Sequence, residues 1–262
     1  MPEKCAQAMD KKIAFLLLIL VSVTGLFFLL VEPVAQPKKY LQFADQRMLF
    51  GINNFLNVVS NLPLILLGIC GVVLTWKRQL VHDNFSVTPA YLTLFAAVMF
   101  TGMGSIWFHL NPSNGTLLWD RLPMAVVFMA LTTALFAEYL GRPLQKILFY
   151  PLLLVGAGSV IYWHITETLG RGDLRPYLLV QFLPILCIVL LMVISRSRFT
   201  RSRDILVILL CYGLAKLTEY LDQQIFVATT LISGHTLKHL LAAVAILILL
   251  RMLWLREEIV NL

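Results

Sequence analysis

Charge is scarce in this chain. Asp, Glu, Lys and Arg together make up 13 % of its 262 residues, against about 25 % in an ordinary soluble domain. Hydrophobic residues make up 59 %, and a soluble helical domain of that composition would lack the polar surface to cover itself. Cysteines at metal or redox spacing are also lacking. Cys5, Cys70, Cys187 and Cys211 stand far apart, and the last three fall in apolar runs, where they read as small buried hydrophobes. No basic and aromatic groove pattern of the nucleic-acid-binding kind is present, so the formal net charge of +7 implies no nucleic-acid partner. There is no internal repeat and no separable soluble domain.

What the chain has instead is a series of apolar runs, each about 20 residues long and so able to cross a bilayer. Eight are drawn, at 13–32, 54–75, 89–109, 118–138, 144–164, 175–194, 204–225 and 233–253. Lys11 and Lys12, followed by the stretch from Ile13 to Val31, have the outline of a signal peptide. The stretch is long for that purpose, and Leu30-Val31-Glu32-Pro33-Val34-Ala35 makes a poor cleavage site. A retained first transmembrane helix is therefore expected.

The positive charges give the orientation. Lys4, Lys11, Lys12, Lys77, Arg78, Arg142, Lys146, Arg196, Arg198, Arg201, Arg203, Arg251 and Arg256 fall at one set of ends. Lys38, Lys39, Arg47, Arg171 and Arg175 fall at the other. Thirteen against five puts both termini in the cytoplasm, a parity that eight spans satisfy. In a bacterial inner membrane, where we expect this chain, the opposite side is the periplasm; in a eukaryotic secretory membrane it would be the lumen.

The chemistry lies on that opposite side. Ser105-x-x-x-His109 ends the third run, Asp120 opens the fourth, and His235-x-x-x-His239 opens the eighth. Polar and ionisable groups are costly at membrane depth, so such a cluster marks a functional site. His235 and His239 share one helix face and His109 supplies a third imidazole. Three imidazoles plus a water are the open coordination of a catalytic zinc. Ser105, one turn below His109, is placed to hydrogen-bond the water or a developing oxyanion. Asp120 is placed to accept a proton from the water or to orient a ligand histidine.

Blander readings were weighed. A lone histidine in a membrane helix is as readily an interhelical hydrogen-bonding group. Three of the five histidines at one depth, beside an aspartate, argue otherwise. Two histidines on one helix face are poorly arranged for the opposite sides of a haem. His82 and His164 look ordinary. Among weaker signals, Asn53, Asn54, Asn57, Ser60 and Asn61 enter the second run, where Ser60 and Asn61 are candidates for interhelical bonds near the site and equally for a neutral cap-and-packing role. Glu219 and Asp222 are candidates for binding polar substrate groups or for pairing with Lys238. Arg121 is a candidate partner for Asp120 or for lipid phosphate. Trp107, Trp119 and Trp163 fit an interfacial belt.

The combined pattern resembles the alkaline ceramidase family, within a superfamily of seven-helix membrane hydrolases that includes the adiponectin-type receptors and the Per1-like lipid-remodelling proteins. Asn57-Val58-Val59-Ser60-Asn61-Leu62, Gly104-Ser105-Ile106-Trp107-Phe108-His109 and Trp119-Asp120-Arg121-Leu122-Pro123-Met124 resemble the family's blocks. The similarity runs from about residue 40 to the last helix. The resemblance implies zinc on His109, His235 and His239, with Ser105 and Asp120 around the activated water. It implies an all-α seven-helix core over roughly 54–253, which makes the first helix an addition. Members of the family also resemble one another in an acidic calcium-binding segment. Here that region offers Asp45 alone among acidic residues, and Asn54 stands where a glutamate is expected, so the resemblance implies neither calcium dependence nor an exact sphingolipid preference.

The expectation is thus a polytopic transmembrane bundle, with residues 1–40 as tail and extra N-terminal helix and 41–262 as the hydrolase domain. Its expected activity is zinc-dependent hydrolysis of the amide of ceramide or a related N-acyl sphingoid lipid drawn from the membrane. Hydrolysis of another lipid ester or amide, and a non-catalytic receptor stabilised by a metal clip, are the alternatives. Oligomeric state is not legible.

Overall fold

The structure, a computed structural model, describes residues 2–80 and 87–259. His82 lies outside the described residues, as does the side chain of Cys5. The helices are α1 (Pro2–Leu30), α2 (Phe55–Val59), α3 (Leu62–Trp76), α4 (Thr88–Leu110), α5 (Asn114–Leu140), α6 (Pro143–Thr168), α7 (Arg175–Ile194), α8 (Asp204–Tyr220), α9 (Asp222–Thr229) and α10 (Gly234–Leu255). A single 3₁₀ turn, Lys38–Leu41, interrupts the loop before α2.

Among the described residues, seven helical stretches are long and apolar enough to cross a membrane: Lys11–Leu30 of α1, α2 with α3, α4, α5, α6, α7 and α10. The protein is an all-α, multi-spanning membrane protein. The 17-residue α8 falls short of that length and carries Asp204, Lys216 and Glu219.

Two of the expected runs are broken, each for a local reason. The second divides after Val59 because Pro63, in the first turn of α3, has no N–H to give the Val59 carbonyl. The seventh divides at Leu221, where Asp222 turns its carboxylate away from the helix. That carboxylate accepts from the backbone N–H of Ala44 at 2.9 Å and of His235 at 2.7 Å.

Helix α4 packs between α3 and α5; α5 also meets α6 and α7, and α10 closes the bundle against α3 and α8. Helix α1 touches α7 and otherwise presents an apolar, exposed surface. One core cluster, around Tyr91, Phe95, Leu135, Leu191 and Leu253, fills the end away from the histidines. Arg256 and Glu138 close that end through a buried pair at 2.8 Å, and the Tyr91 hydroxyl donates to the same carboxylate oxygen at 2.7 Å. A second cluster, around Phe108, Leu117, Trp163 and Tyr177, backs the histidines.

Three side chains depart from the expectation. Trp163 is fully buried and is no part of an interfacial belt, whereas Trp107 and Trp119 are half exposed and stack at 6.1 Å. Cys70 is exposed, unlike Cys187 and Cys211, because it lies on the outward face of α3. Arg121 neither pairs with Asp120 among the described salt bridges nor reaches lipid. It is buried against the rings of Trp163, Tyr177 and Tyr40 at 4.4, 4.9 and 5.2 Å, where cation–π attraction replaces a counter-ion.

Two glycines set the spacing at the histidine end. A Cβ on Gly104 would collide with the Trp119 carbonyl of α5, and one on Gly234 with the Thr218 carbonyl of α8. Close approach at Gly104 brings Ser105 and His109 of α4 alongside Asp120. Gly104→Ala is expected to lower stability by about 1–3 kcal/mol through overpacking against that backbone. The midpoint of thermal unfolding in detergent checks this; an unchanged midpoint would show that α5 yields freely.

Candidate metal centre

Each histidine is placed by its helix end. His109 sits in the last turn of α4, and its carbonyl, left without an intrahelical partner there, accepts from Asn54 Nδ2 at 2.8 Å. His235 and His239 occupy the first two turns of α10, which Ser233 caps by accepting from the Thr236 N–H. All three rings are buried, and every pair of ring centroids is 4.9 Å apart. Their ligand nitrogens all lie within 4.8 Å of one another. This cluster is able to coordinate a divalent metal ion.

The donor set fits zinc. His109 Nε2 and His239 Nε2 are 3.3 Å apart; tetrahedral zinc with bonds of about 2.0–2.1 Å separates two nitrogens by about 3.3 Å. His239 has its other nitrogen occupied. Ser60 Oγ donates to the Asn57 carbonyl at 3.1 Å, so it accepts from His239 Nδ1, 2.8 Å away. The proton then sits on Nδ1, and Nε2 keeps its lone pair for a metal. Asn61 Nδ2 approaches the same Nδ1 less closely, at 3.2 Å, and donates to the Asn57 carbonyl at 2.8 Å. Among the described residues no fourth His, Cys, Asp or Glu joins the group, which is the pattern of a catalytic rather than a structural zinc site.

Asn57 is the hub of this shell. Its side chain donates to the Asp45 carbonyl at 3.2 Å and accepts from Thr236 Oγ1 at 2.7 Å. Helix α2, the loop before it and the start of α10 are thereby tied together. In that loop Phe43 covers the cluster, its ring 4.6 Å from His109 and 4.9 Å from His235. Asp45 and Arg47 brace the loop through two contacts of 2.7 Å, and Arg47 also donates to the Leu231 carbonyl at 2.7 Å. Burial alone would raise the Asp45 carboxyl, but hydrogen bonds and charge from Arg47 outweigh it and hold the group below its ordinary value.

Asp120 and Ser105 stand beside one another at the meeting of α4 and α5. Both line a cavity together with His239. The cavity runs on between α4, α5, α7, α8 and α10, walled by apolar residues such as Val98, Phe128, Ile188 and Ile246. At its polar end Glu219 accepts from Lys238, Lys216 and the Tyr40 hydroxyl. Burial, then the Glu219 carboxylate, push the Tyr40 phenol well above its usual value, so it stays a donor at physiological pH. Glu219 thus pairs with Lys238 as the sequence allowed, and Asp222 caps α10.

Sequence reasoning missed Phe43, Tyr40, Lys216 and the part played by Asn57. A lysine within an apolar run was the available signal for Lys216; no spacing marks the other three.

A family model described as Ceramidase matches residues 50–259. No curated protein and no solved structure matches the chain.

Two outcomes follow from this geometry. Ser60→Ala removes the acceptor for His239 Nδ1–H and is expected to weaken zinc binding about 10–100-fold, measured by competition with a chelator. Asp45→Asn is expected to lower the thermal midpoint at neutral pH. Because the folded carboxyl titrates below its unfolded value of about 3.9, the wild-type advantage is complete above that pH. It disappears as pH falls through the lower folded value, so the two melting curves converge in acid. A gap that persists there would assign the effect to something other than the Asp45 charge.

Proposed function

The chain belongs to the ceramidase family, and from that premise we propose that it hydrolyses the amide of ceramide or a close N-acyl sphingoid lipid with the five residues gathered at the histidine end. The observation that carries this reading is a three-imidazole cluster opening, beside a carboxylate, onto an apolar cavity. Membership makes the protein a metal-associated hydrolase of membrane sphingolipid; the assignment of roles is our own.

His109, His235 and His239 would hold zinc. When bound, zinc supplies a Lewis acid and lowers the pKa of a neighbouring water. Asp120, beside the Ser105 hydroxyl on the cavity wall, would take a proton as water adds to the acyl carbon. The C–N bond then breaks, and Asp120 returns the proton to the departing nitrogen. A fatty-acid carboxylate and a free sphingoid base leave. The apolar cavity walls hold the hydrocarbon and keep bulk water out. Calcium has no place in this reading, since both Asp45 oxygens face Arg47.

We read α2 through α10 as a seven-helix core with α1 as an additional N-terminal span, divided near residue 40. Counting α8 as a crossing rests on its place along α10 and its share of the cavity wall. Its 17 residues extend about 25 Å, close to the hydrocarbon thickness of about 30 Å. The excess of Lys and Arg supports cytoplasmic termini and a site facing the periplasm of a bacterial inner membrane.

The test is incubation of purified protein in detergent with a mixed lipid extract, with and without a zinc chelator, alongside His235→Ala. Mass spectrometry is expected to show chelator-sensitive release of fatty acid with free sphingoid base, and none from the variant. Release from glycerolipid alone would reassign the enzyme as an esterase. No turnover of any lipid despite bound zinc would favour a metal-clipped receptor.

A further inference from the structure

One group of charges at the polar end of the cavity has no role in the hydrolysis as described. Glu219 Oε1 accepts from Lys238 Nζ at 2.9 Å and from the Tyr40 hydroxyl at 3.1 Å, and Glu219 Oε2 accepts from Lys216 Nζ at 2.9 Å. Tyr40, Lys216, Glu219 and Lys238 line the same cavity as Asp120, Ser105 and His239. One lysine would suffice to neutralise Glu219. The second is balanced by the carboxylate of Asp120, which lines the same cavity and feels the charge of Lys238.

Lys238 is the lysine that borders the reaction centre. It stands between His235 and His239 in sequence, and its Nζ lies 3.0 Å from His235 Nε2. An ammonium has three donors; Glu219 takes one, and with the single lone pair of His235 given to a metal, no other acceptor among the described residues takes the remaining two. Meanwhile the Ser105 hydroxyl lies beside the Asp120 carboxylate on the same cavity wall.

Resting on the hydrolase reading above, we propose that Lys238, held by Glu219, donates to the acyl carbonyl oxygen as it becomes an oxyanion and then to the carboxylate of the released fatty acid. As water adds to the acyl carbon, the π pair of the carbonyl moves onto oxygen, where the Lys238 N–H meets it. The pair returns as the C–N bond breaks, and the amine leaves with the proton that Asp120 carried. Lys238 keeps its own protons throughout. Lys216 holds Glu219 from the other side, so that while Asp120 carries its proton the charge of Lys238 is left to the oxyanion.

The experiment compares full-length wild type, Lys238→Met and Lys238→Arg in detergent by three measurements: bound zinc by elemental mass spectrometry, kcat and KM on an N-acyl sphingoid base, and affinity for dodecanoate by calorimetry. Lys238→Met is expected to keep its zinc and lose about 100-fold in kcat with KM little changed. It is also expected to bind dodecanoate about tenfold more weakly. Lys238→Arg restores part of both, since it keeps a cationic donor. Unchanged kcat, unchanged dodecanoate affinity, or a loss of zinc that accounts for the lost rate would each overturn the assignment. A wild type that turns over no sphingolipid, yet binds dodecanoate through Lys238, would refute the hydrolase reading and leave the carboxylate subsite standing.

Discussion

At the histidine end of the bundle, each buried donor and acceptor has to find its partner inside the protein, because the surrounding hydrocarbon offers none. That requirement shapes the whole region. The broken start of α3, the side-chain cap on α10, the carboxylate of Asp222 and the amide of Asn57 all answer backbone or side-chain groups that would otherwise be stranded. Hydrogen bonds from the neighbours orient the imidazoles where they reach them. Ser60 on His239 Nδ1 is the clearest case, since it decides which nitrogen remains free for a metal.

The same constraint links the site to the loop that precedes the core. Phe43 lies against two of the histidines, and its loop is fastened by Asp45 and Arg47 below and by Asp222 through the Ala44 N–H. Asp222 also binds the first backbone N–H of the two-histidine motif. Cover and ligands therefore share a carboxylate. Behind them, Gly104 lets α4 and α5 approach closely enough for Ser105 to reach Asp120. The cavity beyond is apolar because nothing polar there would be satisfied, and that makes it fit for hydrocarbon.

Most of this was legible from the chain alone. Apolar runs reported the spanning helices because a bilayer tolerates little else, and the histidine, serine and aspartate positions stood out because their types are rare at such depth. What stayed hidden depends on three-dimensional closeness without a spacing rule. Trp163 looked interfacial from its position near a helix end, yet it is buried under Arg121, since the guanidinium needed aromatic faces in place of a counter-ion. Asn57 stood out only as one of several polar residues entering the second run and is a hub, because its amide serves the Asp45 carbonyl and two hydroxyl donors at once. The divisions at Val59 and Leu221 lay inside the expected runs and came from a proline and a captured carboxylate.

The central claim is that His109, His235 and His239 hold a zinc ion with one position open to substrate. X-ray absorption at the zinc edge, on protein loaded with one equivalent in lipid nanodiscs, tests it most directly. The account predicts three imidazole nitrogens at about 2.0–2.1 Å and one light-atom ligand exchangeable with solvent, with the imidazole signal reduced in His109→Ala. A sulfur shell near about 2.3 Å, or four protein ligands with no exchangeable position, would contradict it.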